Sequence, residues 1–356
     1  MTRAGVILLD EITRRGAVSF RRFMEVALYH PECGYYRRGR EVFGRDGDYF
    51  TAEQIQPVFG ILIAARVRQL YEEAGRPPDF TVVELGAGRA EMAAAFSEFR
   101  YSPVEIGAGE LPARFTGVVF SNEFFDALPA GVAVRRRGAF HEMLVGWRED
   151  RFVWVEGPPV AGEQAGYLAR YGGALEEGAW IEINLDAVGW MDRISARLER
   201  GWVFTIDYGY TERELIRFPR GTLMSYRRHV AGEDVLADPG ERDITGHVPF
   251  TALQDRGSRA GFETVRFENL ARTLLDAGQP DNFAAALATA SPRDEQRRRL
   301  QLKTLLFGTP LLLLLFLRWG LLLRGLCSFL GCVLHRLILP NIKFARSRKD
   351  RSVIHI

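Results

Sequence analysis

Cysteine is scarce in this chain of 356 residues, and Cys33, Cys327 and Cys332 are the whole supply. Three thiols so placed give neither a disulfide framework nor the paired spacing of a metal site, and they point to a reducing compartment. An excess of one charge is lacking as well. Lys and Arg together number 47 against 45 Asp and Glu, a net charge of +2, so nothing in the balance calls for nucleic acid. The start, Met1 to Asp10, is too short and too soon acidic for a secretion signal, and the expected location is cytoplasmic. No internal repeat is visible. What remains, with 47% hydrophobic residues, is an ordinary globular composition long enough for one large domain or two small ones.

Acidic residues are missing from one region altogether. None lies between Glu295 and Asp350, where Thr304 to Pro340 is dominated by leucine. Arg318 and Arg324 interrupt the apolar run before it reaches the roughly 18 residues of a membrane span. Three readings of this tail fit: a short membrane hairpin or interfacial anchor, a buried terminal element, or an out-of-frame end.

What is present is organised around Thr81-Val82-Val83-Glu84-Leu85-Gly86-Ala87-Gly88-Arg89-Ala90-Glu91. A β-branched apolar run followed by Gly-x-Gly describes a buried strand turning sharply toward a helix, with glycines where the backbone bends and a ligand approaches. A third glycine, which would complete a dinucleotide fingerprint, is absent, and Glu91 takes its place. With Glu84 upstream, two carboxylates flank the turn. They repel a pyrophosphate and tolerate a phosphate-free, cationic nucleoside ligand such as S-adenosylmethionine. A helix is expected over Ala90 to Phe99, then a strand from Tyr101 to Ile106. Glu105, 19 positions after Gly86, stands where ribose hydroxyls are held in doubly wound folds.

Ahead of the turn, Ser19 precedes a stripe of Phe20, Phe23, Met24, Ala27 and Leu28, an amphipathic helix behind a good N-cap. Ile55, Phe59, Leu62, Ile63, Val67 and Leu70 mark a second helix, so 1–78 reads as a helical cap. Beyond the turn, an apolar strand ending at Ser121 delivers Asn122, Glu123 and Asp126 to the carboxyl edge of a parallel sheet, where ligands bind. Two carboxylates there can pair a substrate cation or take a proton from it. An antiparallel meander follows through Ala133–Arg136, Glu142–Trp147 and Phe152–Val155. Trp180 to Asn184 opens a helix ending at Gly201. Then Trp202 to Ile206 is another buried strand bringing Asp207 and Tyr208 to the same edge. Residues 222–250 form a long polar connection of the length usual for lids and binding loops. His229 and His247 lie in it with Asp243 nearby, but their spacing is too loose for metal ligation, and no metal is expected.

Taken in order, these motifs resemble the MidA-type family of class I S-adenosylmethionine-dependent methyltransferases. The matching residues are Phe20-x-x-Phe23-Met24-x-x-Ala27-Leu28-Tyr29; Gly47-Asp48-Tyr49-Phe50-Thr51; Glu84-Leu85-Gly86-Ala87-Gly88; Ser121-Asn122-Glu123-Phe124-Phe125-Asp126-Ala127-Leu128-Pro129; Ile206-Asp207-Tyr208-Gly209; and the loop from Gly221 to Val248. The resemblance implies an α/β fold: a Rossmann-like, seven-stranded methyltransferase sheet with a helical N-terminal region and a substrate-side insertion. It implies a methyltransferase domain over 79–307, with insertions near 131–180 and 210–250, and the leucine-rich tail over 308–356. Glu84, Gly86, Gly88 and Glu105 would then hold S-adenosylmethionine, with Asp48 and Thr51 closing over it. Glu123 and Asp126 would grip the substrate with Asn122 beside them, and Asp207, Tyr208, His229 and His247 would line its channel. Relatives methylate arginine in a respiratory-complex subunit, so a protein arginine is the candidate substrate. A small-molecule methyltransferase and a non-catalytic assembly factor are the competing functions. Two departures stand out: the segment from Glu105 to Phe120 is shorter than usual in the family, and the leucine-rich tail replaces a soluble ending.

Overall fold

The computed structural model describes residues 1–37, 56–105, 107–173, 175–227, 230–289, 291–319 and 340–346, with backbone alone for 308–319 and 340–346. The chain divides into two interleaved units. One comprises the described parts of Met1–Phe50, Phe125–Trp190 and Gly209–Leu253; the other comprises those of Thr51–Phe124, Met191–Tyr208 and Gln254–Ile356. This differs from a linear cap over 1–78: the helix Val58–Glu73 goes with the second unit, because Phe59, Leu62, Ile63, Val67 and Leu70 pack into the core of that unit's sheet.

The second unit is built on a six-stranded sheet. Its spatial order is Glu263–Asn269, Pro340–Arg346, Leu198–Ile206, Phe115–Asn122, Thr81–Leu85 and Arg100–Val104. The four strands from Leu198–Ile206 to Arg100–Val104 run parallel. Their apolar runs, such as Val82-Val83 and Val118-Val119-Phe120, are buried on both faces, as a parallel sheet requires. Pro340–Arg346 inserts antiparallel between Glu263–Asn269 and Leu198–Ile206. The backbone of this segment completes ladders on both sides. Among the described residues no helix is long and apolar enough to cross a membrane.

The expected seventh strand is not among the described residues. Only Glu105 to Arg114 separates Arg100–Val104 from Phe115–Asn122, which flank Thr81–Leu85 on either side, and a parallel crossover alone needs a dozen or more residues, which leaves no room for a further strand. The helix expected over Ala90 to Phe99 is a run of turns instead. Ala90 has a left-handed φ of 55°, and the N–H groups of Ala90, Ala93 and Phe99 bond three residues back, which breaks the α-helical ladder. Met92 and Phe96 still reach the core. Leu198, expected in a helix, instead begins a strand after the helix Leu185–Ser195.

The first unit carries the antiparallel meander. Gly131–Arg136, Ala139–Arg148 and Arg151–Pro159 pair in sequence, with Trp180–Ile183 on the outer side of the first. Against it packs the helix Phe20–Tyr29, whose Ser19 side chain accepts the Arg22 N–H at 3.2 Å, together with a helix not foreseen, Arg3–Arg15, capped by Thr2. Burying Phe20, Phe23, Met24 and Leu28 is worth about 1.5–3 kcal/mol each, enough to anchor so short a helix.

Close approach of the central strands rests on two glycines. Gly117 (φ 154°) and Gly201 (φ 143°) face each other in register, and a Cβ on Gly117 would lie 1.9 Å from the carbonyl of Thr81. Gly117→Ala is therefore expected to destabilise the fold by about 2–4 kcal/mol, measured as a lower denaturant midpoint with unchanged slope. An unchanged midpoint contradicts this account of the sheet.

Candidate functional site

Within the second unit, the turn after Thr81–Leu85 is fixed by its own N–H groups. Gly86 donates to the carbonyl of Val104 at 2.9 Å, Ala87 donates to the same carbonyl at 3.4 Å, and Gly88 donates to the Glu105 carboxylate at 2.8 Å. Gly86 (φ 67°) and Gly88 (φ 53°) both occupy the left-handed region. The consequence bears on the ligand. A phosphate-binding turn points its N–H groups at the phosphate, whereas here all three are committed to protein oxygens. The site thus fits a nucleoside ligand without phosphates. Glu84 is buried beneath the turn and accepts the hydroxyl of Tyr101.

Next to this turn ends the strand Phe115–Asn122. Ser121 and Thr205 share a buried hydroxyl contact at 2.6 Å that ties it to its neighbour. Asn122 is 6% exposed, and neither its Oδ1 nor its Nδ2 has a hydrogen-bond partner among the described residues. A buried amide costs free energy unless its donors and acceptor are met, and a polar ligand at the strand end meets them. Glu123 follows with a φ of 50°, uncommon for a residue with a side chain, while its N–H continues the ladder to Ile206 at 2.8 Å. Such strain persists where the surroundings fix a residue, which is frequent at functional positions. Phe124 stands over Gly86, so that a Cβ there would meet its ring at 2.9 Å. Asp207 is fully buried at the end of the adjacent strand and accepts the Tyr208 N–H at 3.0 Å, and the Tyr208 ring packs in the core.

Asp126 and His247 lie in the first unit, both buried. The carbonyl of Asp126 accepts the Gly246 N–H at 2.9 Å. His247 donates its N–H to the Thr222 hydroxyl at 2.8 Å and meets Phe218 edge-on at 5.0 Å. Asp48, Thr51 and His229 lie outside the described residues. Sequence reasoning passed over Glu182 and Asn184, which are buried in the first unit. Burial pushes the Glu182 carboxyl up, while neighbouring groups of Thr222 and Leu223 and its own N–H pull it back. The available signal was an acid and an amide alternating with isoleucines in Trp180-Ile181-Glu182-Ile183-Asn184, two polar groups on one face of a buried strand.

Known proteins share this architecture. The Methyltransf_28 family, described as S-adenosyl-L-methionine-dependent methyltransferase, matches residues 96–268. A superfamily protein from Burkholderia thailandensis, crystallised with S-adenosyl-homocysteine bound, superposes with a TM-score of 0.77 at 28% identity, covering 98% of this chain and 95% of its own. The mitochondrial protein arginine methyltransferase NDUFAF7 homolog of Drosophila melanogaster is 25% identical, across 69% of this chain and 68% of its own. Human NDUFAF7 is 24% identical, across 69% and 67%. Fold and turn together define the class, an S-adenosylmethionine-dependent methyltransferase with a Rossmann-like sheet. Within that class the chain has its likeness in the MidA and NDUFAF7 type, whose motifs it carries from Phe20 to Val248.

Gly86→Val fills the space under Phe124 and forces a β-branched residue into a left-handed turn. S-adenosylmethionine affinity is expected to fall by about 100-fold, read by calorimetric titration. Retained affinity in a folded variant would place the cofactor elsewhere.

Proposed function

We propose that this protein transfers the methyl group of S-adenosylmethionine to an arginine side chain of a protein. The observation that carries the reading is the pairing, at one edge of the sheet, of a turn suited to a phosphate-free nucleoside with a buried amide, Asn122, and a strained carboxylate, Glu123. The arginine substrate is supported by the names of the fly and human relatives, protein arginine methyltransferases.

In this reading, Gly86 and Gly88 leave room for the cofactor, Glu105 holds the turn and meets the ribose, and the Asn122 amide completes its polar partners in the ligand. The bound cofactor supplies an electrophilic methyl group on a sulfonium. Glu123 pairs with the substrate guanidinium, orients one nitrogen and accepts the proton released as the N–CH3 bond forms. A carboxylate suits this task because the guanidinium presents parallel N–H donors in a plane. Most of the acceleration comes from alignment rather than from a strong base.

Glu123→Gln preserves size and removes the charge. It is expected to lower methyl transfer to an arginine-containing protein substrate by about 100-fold while S-adenosylmethionine affinity stays within about threefold. Transfer at the wild-type rate rules out Glu123 as the guanidinium partner, and transfer to a small molecule but to no protein overturns the substrate class.

A further inference from the structure

Glu182 and Asn184, on one face at the end of the strand Trp180–Ile183, form a second polar constellation that the transfer chemistry above does not use. Glu182 is 1% exposed and Asn184 4%. One Glu182 oxygen, Oε1, accepts the Thr222 N–H at 2.7 Å. The other, Oε2, and the Asn184 Oδ1 are buried with no hydrogen-bond partner among the described residues. Asn184 occupies the position before the helix Leu185–Ser195, where an asparagine ordinarily caps, yet its oxygen makes no cap bond. The loop over Glu182 is shaped to its carboxylate. Gly221 has a φ of 76°, and a Cβ there would lie 2.4 Å from Oε1.

Tyr167 and Tyr210 are buried close enough to Glu182 that its charge adds to burial in pushing both hydroxyls up. Both also line a cavity with Tyr171, Ile181, Glu212 and Thr251, on the opposite face of the strand from the Glu182 side chain. Phe218 stacks tilted on Tyr210 at 5.8 Å and edge-on to His247 at 5.0 Å. Two buried acceptor oxygens without donors suit a weakly hydrated cation that presents several N–H donors at once, which is a guanidinium. An isolated buried carboxylate is costly, and a bound guanidinium removes that cost by pairing and hydrogen bonding at once.

We infer that Glu182 and Asn184 form a cation-recognition subsite in the first unit that takes an arginine side chain of the protein substrate other than the one methylated. The inference rests on the reading of a protein substrate, but its test does not depend on methyl transfer. Butylguanidinium chloride, with butanol as the uncharged control, is titrated into the full chain, Glu182→Gln, Asn184→Leu and Glu123→Gln, with the melting temperature of each variant recorded. The subsite predicts saturable one-to-one binding of butylguanidinium, weakened by about tenfold or more in Glu182→Gln and in Asn184→Leu, and retained in Glu123→Gln. Asn184→Leu keeps the test open should Glu182→Gln fail to fold.

Absence of saturable binding in the wild-type chain overturns the subsite. So does binding lost only in Glu123→Gln, which assigns the cation to the transfer site and leaves the proposed function standing. Folded Glu182→Gln and Asn184→Leu that bind like wild type reduce the pair to a structural clasp on the loop at Gly221. Binding that depends on Glu182, in a chain that methylates no arginine, upholds the subsite and removes the proposed reaction.

Discussion

The hydrogen bond from the Gly88 N–H to the Glu105 carboxylate is the contact on which the shape of the glycine turn depends. It joins the turn after the first strand of the parallel sheet to the end of the second. With Gly86 and Ala87 bound to Val104, it uses up the donors that a phosphate would otherwise claim. The choice of a sulfonium nucleoside over a dinucleotide is thus written into backbone hydrogen bonding, with the acidic flanks Glu84 and Glu91 acting in the same direction. Phe124 and the left-handed glycines then set how closely a ligand approaches the backbone.

The neighbouring strands approach closely at both ends. Gly117 and Gly201 remove side chains near the starting ends of Phe115–Asn122 and Leu198–Ile206, and the hydroxyl pair of Ser121 and Thr205 ties the same two strands near their carboxyl ends, where Asn122 and Glu123 emerge. The strand Pro340–Arg346 extends the same sheet on its other side, so a segment beyond the leucine-rich stretch contributes backbone to the fold.

Much of this was legible in the sequence, for identifiable reasons. The strand at Thr81–Leu85, the meander and the helix Phe20–Tyr29 each carry a strong local pattern, whether β-branched runs, alternation or an apolar stripe behind a serine cap. Glu105, singled out by its distance from the glycine turn, accepts the Gly88 N–H of that turn. The turns at Ala90–Phe99 misled because Met92 and Phe96 have helical spacing, and a left-handed Ala90 leaves no trace in side-chain chemistry. Pro340–Arg346 was hidden because its place is set by two distant strands rather than by its own periodicity. Glu182 and Asn184 escaped notice for a related reason. Glu182 is covered by Gly221 and Thr222, which the chain brings from far away in sequence.

The central claim is that the turn at Gly86–Gly88 is built for S-adenosylmethionine and not for a pyrophosphate. Calorimetric titration of S-adenosylmethionine and, separately, NAD into the full-length wild-type chain tests it most directly. The account predicts one-to-one binding of S-adenosylmethionine at micromolar concentration, about −8 kcal/mol, with no measurable binding of NAD. Binding of NAD with comparable affinity, or its binding alone, would contradict it.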